Sequence, residues 1–335
     1  MEESLGVSME ISVIIAAYNI EDYIERCLLS VSNQTFDDIE IIVVNDGSTD
    51  NTLDRIKKIL NNDSRIKLIN QKNSGLIEAR KSGFKESRGK YVLFVDGDDY
   101  LEHNALEIIY RKAISNNLDI VLYNAYTTYD DSRQPLQTFK EEFNEQNDPL
   151  KALFLLQIMP TIWSKLIKRE YLIKNNIEFP KGISYGEDLA TIATCFMYKP
   201  SIGLVNENLY NYYQRNNSLV KNPGQKILEL NEAINFIQKK LIENNIYKVY
   251  VNEYNNLVYY HLFNTFLLRQ EYDDIHYKMY TQYKNKHIKI KNNVFIQSHI
   301  SKYPKSLKVR VKLYNFNYEL GRTYDYFRKK LKNLK

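Results

Sequence analysis

The stretch YVLFVDGDDY, residues 91–100, carries five apolar residues straight into Asp96, Asp98 and Asp99. A short apolar run bounded by turn residues reads as a buried strand, so these acids stand at the mouth of the core. Like charges that close raise one another's pKa unless something positive lies among them. One aspartate can cap the next helix, which would account for Asp99. Three at one strand end ask for a cation, a proton or a ligand.

Similar strands surround this one. ISVIIAA (11–17), IEIIVVN (39–45), RIKLIN (65–70) and DIVLY (119–123) are short runs rich in β-branched residues. Helical patterns fill the gaps at residues 21–32, 52–61, 75–86 and 104–116. Alternation of this kind predicts βαβ units, hence an α/β fold with a mostly parallel sheet flanked by helices. Such sheets bind ligands beyond the carboxyl ends of their strands. Here those ends read AAYN, NDGSTD, NQKNSG and DGDD, which predicts a site built from four successive strand ends. Residues 129–148 are polar and predict a loop near that site, followed by a helix over 149–158. SIGLVNENLYNYYQR (201–215) predicts two short strands. From residue 224 the pattern turns helical, giving a domain at 1–222 and a mainly helical add-on at 223–335, divided where Asn222, Pro223 and Gly224 cluster.

Composition narrows the class. Hydrophobic residues make up 44% and charged residues 26%, as in ordinary soluble globular proteins. Cys27 and Cys195 lie in apolar stretches without a Cys or His at ligand spacing, which argues against a disulfide framework or a zinc site. No secretory pattern opens the chain, and no window holds the roughly 18 apolar residues of a membrane span. A cytoplasmic location is expected. The net charge of +5 gathers near the end, in KNKHIKIKNN and FRKKLKNLK. A basic end suggests an anionic neighbour such as membrane lipid, a polyanionic substrate or nucleic acid; a solvated helix face is the plainer reading. The 28 tyrosines suit cores, interfaces and sugar-stacking surfaces alike.

The acids carry the chemical argument. Asp96 and Asp98, two apart across Gly97, can converge on Mg²⁺ or Mn²⁺, hard cations that complete their shells with water and phosphate oxygens. In NDGSTDNT, residues 48–50 suffice as turn and cap. Asp46, expected level with Asp96 on another strand, is free to accept from a nucleobase imide or a ribose hydroxyl. Tyr18 offers a ring for stacking and Ala17 a backbone edge for the base. In NSGLIEAR, Asn73 precedes a helix that carries Arg80, whose fork suits a diphosphate; a surface-paired arginine is the alternative. In GEDL, Glu187 and Asp188 open a helix whose N-terminus favours ionised acids. That serves either a cap or a general base.

Together these residues resemble the family 2 glycosyltransferases of the GT-A fold, bacterial enzymes that use nucleotide-activated sugars. SVIIAAYNIEDYIERCLLSVSNQTFDDIEIIVVNDGSTDNT looks like the family's opening, and NSGLIEARKSGFKESRGKYVLFVDGDDYL like its middle. WSKLIKREYL, GEDL and LYNYYQRNNS resemble later segments. The resemblance spans roughly residues 9–220 and implies a GT-A (Rossmann-like) fold. It departs at Ala16, Asn45 and Lys81, where the family often has Pro, Asp and Asn.

The resemblance implies that Ala17, Tyr18, Glu21 and Asp46 hold the nucleoside. Asn73 and Arg80 would lie near base or diphosphate, Asp96 at the ribose, and Asp98 on a Mn²⁺ or Mg²⁺ ion. Asp188 would be the base for the acceptor hydroxyl, giving inversion in one displacement, with Asp99, Trp163 and Glu187 toward the acceptor. The implied donor is a UDP-sugar. The implied acceptor is a cell-surface glycan, a teichoic or capsular polymer, or a glycoprotein glycan, lipid-linked or protein-linked. Nucleic acid is not an implied partner. The basic end would touch the inner membrane face, or the helical add-on would serve as a cap or in self-association. Two rivals stand beside this: a haloacid-dehalogenase-like phosphohydrolase, whose DxD ordinarily closes its first strand and not its fourth, and a non-catalytic glycosyltransferase-like partner protein.

Overall fold

The structure is a computed structural model that describes residues 9–215, 223–269 and 273–332. The chain divides into two compact units, Met1–Gly224 and Gln225–Lys335. The boundary expected between residues 222 and 223 falls at the end of segment 216–222, outside the described residues.

The first unit is built on β1 (Ile11–Ala17), β2 (Ile39–Asp46), β3 (Ile66–Gln71), β4 (Tyr91–Asp96) and β5 (Tyr100–Leu101). It continues with β6 (Ile120–Thr128), β7 (Arg133–Leu136), β8 (Lys165–Lys168) and β9 (Ile202–Tyr213). Its helices are α1 (Ile24–Ser32), α2 (Thr52–Leu60), α3 (Leu76–Glu86), α4 (Ala105–Ser115), α5 (Pro149–Phe154), α6 (Arg169–Lys174) and α7 (Glu187–Met197). The sheet order is β3-β2-β1-β4-β8-β6-β9-β5, with β7 paired to β6.

The first four strands are parallel, as their alternation with helices requires. Beyond β4 the sheet is mixed, because β8 runs antiparallel to both β4 and β6. Residues 202–213 form one strand in place of the two expected. Its irregularity is a register shift against β6 beside Asn124. The polar stretch 129–148 contains β7, which closes a hairpin on β6.

Register places the site. Ala16 pairs with Val44 on one side and Asp96 on the other, so the strand ends are nearly flush. Asp46 therefore lies two residues beyond the level of Asp96, not beside it as expected. Both sheet faces are covered. Ile11, Val13 and Ile15 pack with Ile41, Val43 and the α1 residues Ile24, Cys27 and Leu28 in one core, while Ile42 and Val44 meet Ala79 of α3 on the other face. A charge inside this sheet is fully paired. Glu40, 1% exposed, accepts from Ser12 Oγ at 2.7 Å, Lys67 Nζ at 2.7 Å and Arg88 N at 2.6 Å. Burial pushes its carboxyl up, but these bonds prevail and hold it below the usual range.

The second unit is helical. It contains α8 (Leu230–Glu243), α9 (Tyr247–Val258), α10 (Thr265–Leu268), α11 (Asp274–Lys284), α12 (Val294–Ser301), α13 (Lys305–Phe316) and α14 (Tyr318–Lys332), with a π-turn at Tyr259–Asn264 joining α9 to α10. Many of its tyrosines are core residues. Tyr283 stacks near Phe263 at 4.4 Å, and Tyr314 meets Phe266 edge-on at 4.9 Å. Inside the same unit Arg310 pairs with Asp325 at 2.7 Å, and Tyr314 donates to the same carboxylate. Among the described residues no helix is long and apolar enough to cross a membrane.

Helix α3 lies close to the sheet because Gly83 faces Ile14: a Cβ at residue 83 would sit 2.4 Å from Ile14 Cγ2. That methyl belongs to a β-branched side chain in a packed strand and has little room to yield. Gly83→Ala is expected to lower stability by about 1–3 kcal/mol through overpacking. A chemical melt of the two proteins checks this; an unchanged midpoint would mean that α3 can lift at no cost.

Candidate active site

Four elements meet at the carboxyl ends of β1, β2 and β4. The best-connected side chain there is Arg80, in the second turn of α3 and 2% exposed. Its Nη2 donates to Asp96 Oδ1 at 2.9 Å and its Nη1 to Asp188 Oδ1 at 2.7 Å, with Glu187 Oε1 at 3.9 Å. Burial alone would pull the guanidinium down, but Asp188, Asp96 and Glu187 hold its pKa above the ordinary value. Arg80 is expected near base or diphosphate; in this structure its fork joins the end of β4 to the first turn of α7.

Asp188 is fixed from both sides, since its Oδ2 also accepts from Ile162 N at 3.0 Å. The loop that carries Ile162 is shaped by Lys165, which is fully buried. Lys165 Nζ donates to Thr161 O at 2.6 Å, Met159 O at 3.0 Å and Ser164 Oγ at 3.1 Å. Burial pulls this ammonium down to about 7. Next to Asp188, Glu187 is pushed up to about 7, first by burial and then by the Asp188 charge, with Arg80 opposing.

The three aspartates of DGDD have separate surroundings. Asp96 takes Arg80. Asp98 Oδ2 lies 2.6 Å from Arg215 Nε, and the carbonyl of Asp98 accepts from Arg26 Nη2 at 2.9 Å. Arg26 is held between the rings of Tyr213 and Tyr100, at 4.1 and 4.5 Å. Burial pushes the Asp98 carboxyl up, Arg215 pulls it back, and Asp96 adds to the rise. Asp99 is 1% exposed and accepts from Tyr210 Oη at 2.7 Å and Tyr213 N at 2.8 Å. Burial, Asp98 and Asp96 push it well above the carboxylate range. Trp163 is also inside, stacked on Tyr210 at 4.5 Å. Neither Asp99 nor Trp163 presents a surface to an acceptor in this structure; both anchor β9.

The residues expected at the nucleoside divide into a frame and a face. Asp46, 3% exposed, accepts from Gln71 Nε2, Ser74 N and Gly75 N at 2.8–2.9 Å, and so shapes the loop before α3. Gly47 beside it has φ +71°, and a Cβ there would meet Asn73 N at 2.6 Å. Glu21 Oε2 accepts from the backbone and side chain of Asn51. Ala17 is buried, whereas Tyr18 is 48% exposed and Asn73 is exposed.

Sequence reasoning gave no role to Arg26, Arg215 or Lys165. Lys165 had a signal, a lone lysine entering the apolar run LI. Arg26 and Arg215 had little, because their meeting at Asp98 joins positions 72 and 117 residues from it.

A sequence profile described as "Glycosyl transferase family 2" matches residues 12–175. An uncharacterized glycosyltransferase, EpsJ of Bacillus subtilis, is 34% identical over 65% of this chain and 65% of its own length, a little under two thirds. A putative glycosyltransferase of the same strain, EpsH, is 31% identical over 75% of this chain and 74% of its own. The crystal structure of S. aureus TarS residues 1–349 in complex with UDP-GlcNAc superposes with a TM-score of 0.72, covering 96% of this chain and 92% of that one, at 20% identity. A likeness at that identity establishes the GT-A fold.

The raised carboxyl of Glu187 sets a pH dependence. A folded-state pKa above the ordinary 4.5 means that the folded chain binds the proton more tightly than the unfolded chain. Stability then falls as pH rises from about 4.5 through about 7 and levels off above it. Glu187→Gln removes that loss, so its melting temperature should match the parent near pH 4.5 and exceed it by a margin that grows up to pH 8. A margin independent of pH would show that Glu187 keeps its ordinary pKa.

Proposed function

The chain belongs to glycosyltransferase family 2, and from that membership we propose that it moves a sugar from a UDP-sugar to a hydroxyl of a glycan in a single inverting displacement. The observation that carries this reading is the Arg80 bridge, which ties the acid at the β4 end to the acid in the first turn of α7. A transferase needs one pole that neutralises the charge of the departing diphosphate, which a cation held by the acids at the β4 end would supply, and one that takes a proton from the incoming hydroxyl. The UDP-GlcNAc held by the TarS structure of the same fold supports a uridine nucleotide as donor carrier.

In the proposed reaction Asp188 takes the acceptor hydroxyl's proton as that oxygen bonds to the anomeric carbon from the face opposite the diphosphate. The bond from that carbon to the diphosphate oxygen breaks, and its electron pair leaves with the nucleoside diphosphate. Two features support Asp188 as the base. It lies in the first turn of α7, where the helix N-terminus favours a carboxylate, and Arg80 and Ile162 N hold its orientation. Tyr18 and Asn73, on the exposed rim of the strand ends, are the proposed contacts for the nucleoside.

The residues also fit a divalent cation. Among the described residues no three His, Cys, Asp or Glu side chains converge as a complete ligand set, and Mg²⁺ commonly takes only one or two carboxylates, with phosphates and water. Asp98, a half-enclosed carboxylate pushed up by burial, would hold it with Asp96 alongside. When bound, such an ion supplies Lewis-acid stabilisation of the diphosphate. A contact with the inner membrane face is also proposed, supported by exposed Phe327 beside the basic residues 328–330.

Asp188→Asn is expected to leave UDP-sugar binding by calorimetry unchanged while transfer falls by roughly 10²–10⁴. Transfer at the parental rate would move the base elsewhere, with Glu187 the next acid to replace. EDTA treatment is expected to abolish turnover, with recovery on adding Mn²⁺ or Mg²⁺. Full turnover by the metal-stripped protein would remove the cation from the proposal.

A further inference from the structure

The C-terminal unit contains two adjoining clefts that the reaction above does not use. The first, about 390 Å³, lies among α8, α9 and the end of α11. Helix α8 buries Leu230, Ala233, Ile234, Ile237 and Leu241 in the core. On the neighbouring stripe, Asn231, Asn235 and Gln238 line the cleft at spacings of four and three. Helix α9 contributes Asn255 with Tyr247 and Tyr254, and Gln282 and Asn285 close the wall. Six carboxamides thus face one concavity.

Three of these groups are weakly satisfied within the chain. Gln238 Nε2 reaches Tyr247 Oη only at 3.3 Å, and Gln282 Nε2 reaches Leu228 O at the same distance. The side-chain oxygen of Asn231 is buried without a partner. A buried acceptor left unmade is costly, and a donor carried by a ligand would offset that cost.

The second cleft, about 540 Å³, shares Ile288 with the first and is lined by Lys284, His287, Lys289 and Lys291. Tyr283 also lines it, and its hydroxyl is likewise buried without a partner. Lys286, between the two clefts in sequence, lines the first and contacts Asn235 Oδ1.

We propose that these clefts form one binding site for an acidic glycan chain, with sugar hydroxyls against the carboxamide wall and phosphate or carboxylate groups against the lysines. Carboxamides both donate and accept, which matches vicinal hydroxyls, while lysines recognise anions as point charges. A nucleic acid fits less well, because stacking on open aromatic faces dominates single-strand binding and Tyr247 and Tyr254 pack edge-on against each other at 5.6 Å. The biological role of the site, holding an acceptor, rests on the transferase reading; the binding itself does not.

The test is native affinity electrophoresis of the full chain through gels containing hyaluronan, alginate or a phosphomannan, with dextran, polyglutamate and poly(U) gels as controls. At least one acidic glycan should retard the protein, and polyglutamate and poly(U) should retard it far less. Asn231→Leu is the decisive variant. It replaces an orphaned oxygen with an apolar group of similar shape, so it should melt at or above the parental temperature yet lose at least tenfold in apparent glycan affinity. Lys289→Ala/Lys291→Ala should weaken retardation by acidic glycans mainly at low salt. The proposal is overturned if no acidic glycan retards the chain, if polyglutamate or poly(U) does so equally, or if Asn231→Leu binds like the parent. UDP binding, measured separately by calorimetry, reports on the donor reading alone. Loss of one result with retention of the other shows which of the two has failed.

Discussion

A guanidinium shared by three carboxylates decides how the acidic cleft can be built. Arg80 is almost fully buried and touches Asp96 and Asp188 at 2.9 and 2.7 Å, with Glu187 just beyond. Desolvating an arginine is expensive, and the geometry must be good enough to offset it. The planar fork meets that demand, because its two terminal nitrogens reach acids on separate elements. A lysine at the same place would offer a single point charge and could not hold both. Removal of the fork would leave Asp96, Glu187 and Asp188 facing one another, and breaking a buried pair of this kind costs about 3–5 kcal/mol. One side chain therefore spans the β4 end and the α7 N-terminus and links Asp96 to Asp188.

The rest of the cleft is held by a second layer of bonds that leaves little free for a ligand. The loops after β1 and β2 are knitted reciprocally: Ser48 Oγ accepts from Asn19 N, and Asn19 Oδ1 accepts from Thr49 N. Asp50 accepts from Glu21 N, and Glu21 accepts from Asn51 N. Asp46 does the same for the loop ahead of α3. Because the polar side chains at these strand ends are largely spent on one another, the loops keep a fixed shape before any ligand arrives. What they present outward is a ring, an exposed asparagine and backbone edges, which suits a flat base and a diphosphate better than a deep hydrophobic ligand.

The fold was largely legible because it rests on local signals. The four parallel strands and their helices show in β-branched runs and helical periodicity, and β1 begins and ends at the expected residues. The antiparallel insertion of β8 was not legible: KLIK is four residues long, and its place between β4 and β6 depends on long-range pairing. Of the site, the identity of the acids could be read but not their partners. Asp46 looked available because a sequence shows a carboxylate and not the three donors that surround it. Arg80 looked like a phosphate ligand because the fork is the same whether it meets phosphate or carboxylate. Glu187 and Asp188 are adjacent in sequence, and only the fold shows that one carries both partners while the other is pushed up by burial and then by its neighbour.

Three carboxylates can share the mouth of one strand because each is neutralised by different means. Asp96 is ion-paired to Arg80 from α3, and Asp98 to Arg215 from beyond β9. Asp99 has no guanidinium; it takes two hydrogen bonds from β9 and is pushed toward its neutral form. Their mutual repulsion is thus divided among two cations and a proton, and no single counter-ion has to satisfy all three. The division also ranks them for chemistry. Asp99 is committed to holding β9, and Asp96 is bound to the bridge that positions Asp188. Asp98 alone is paired to an arginine that belongs to no helix or strand, Arg215. Of the three acids, it is the one whose counter-charge can be exchanged without dismantling the sheet.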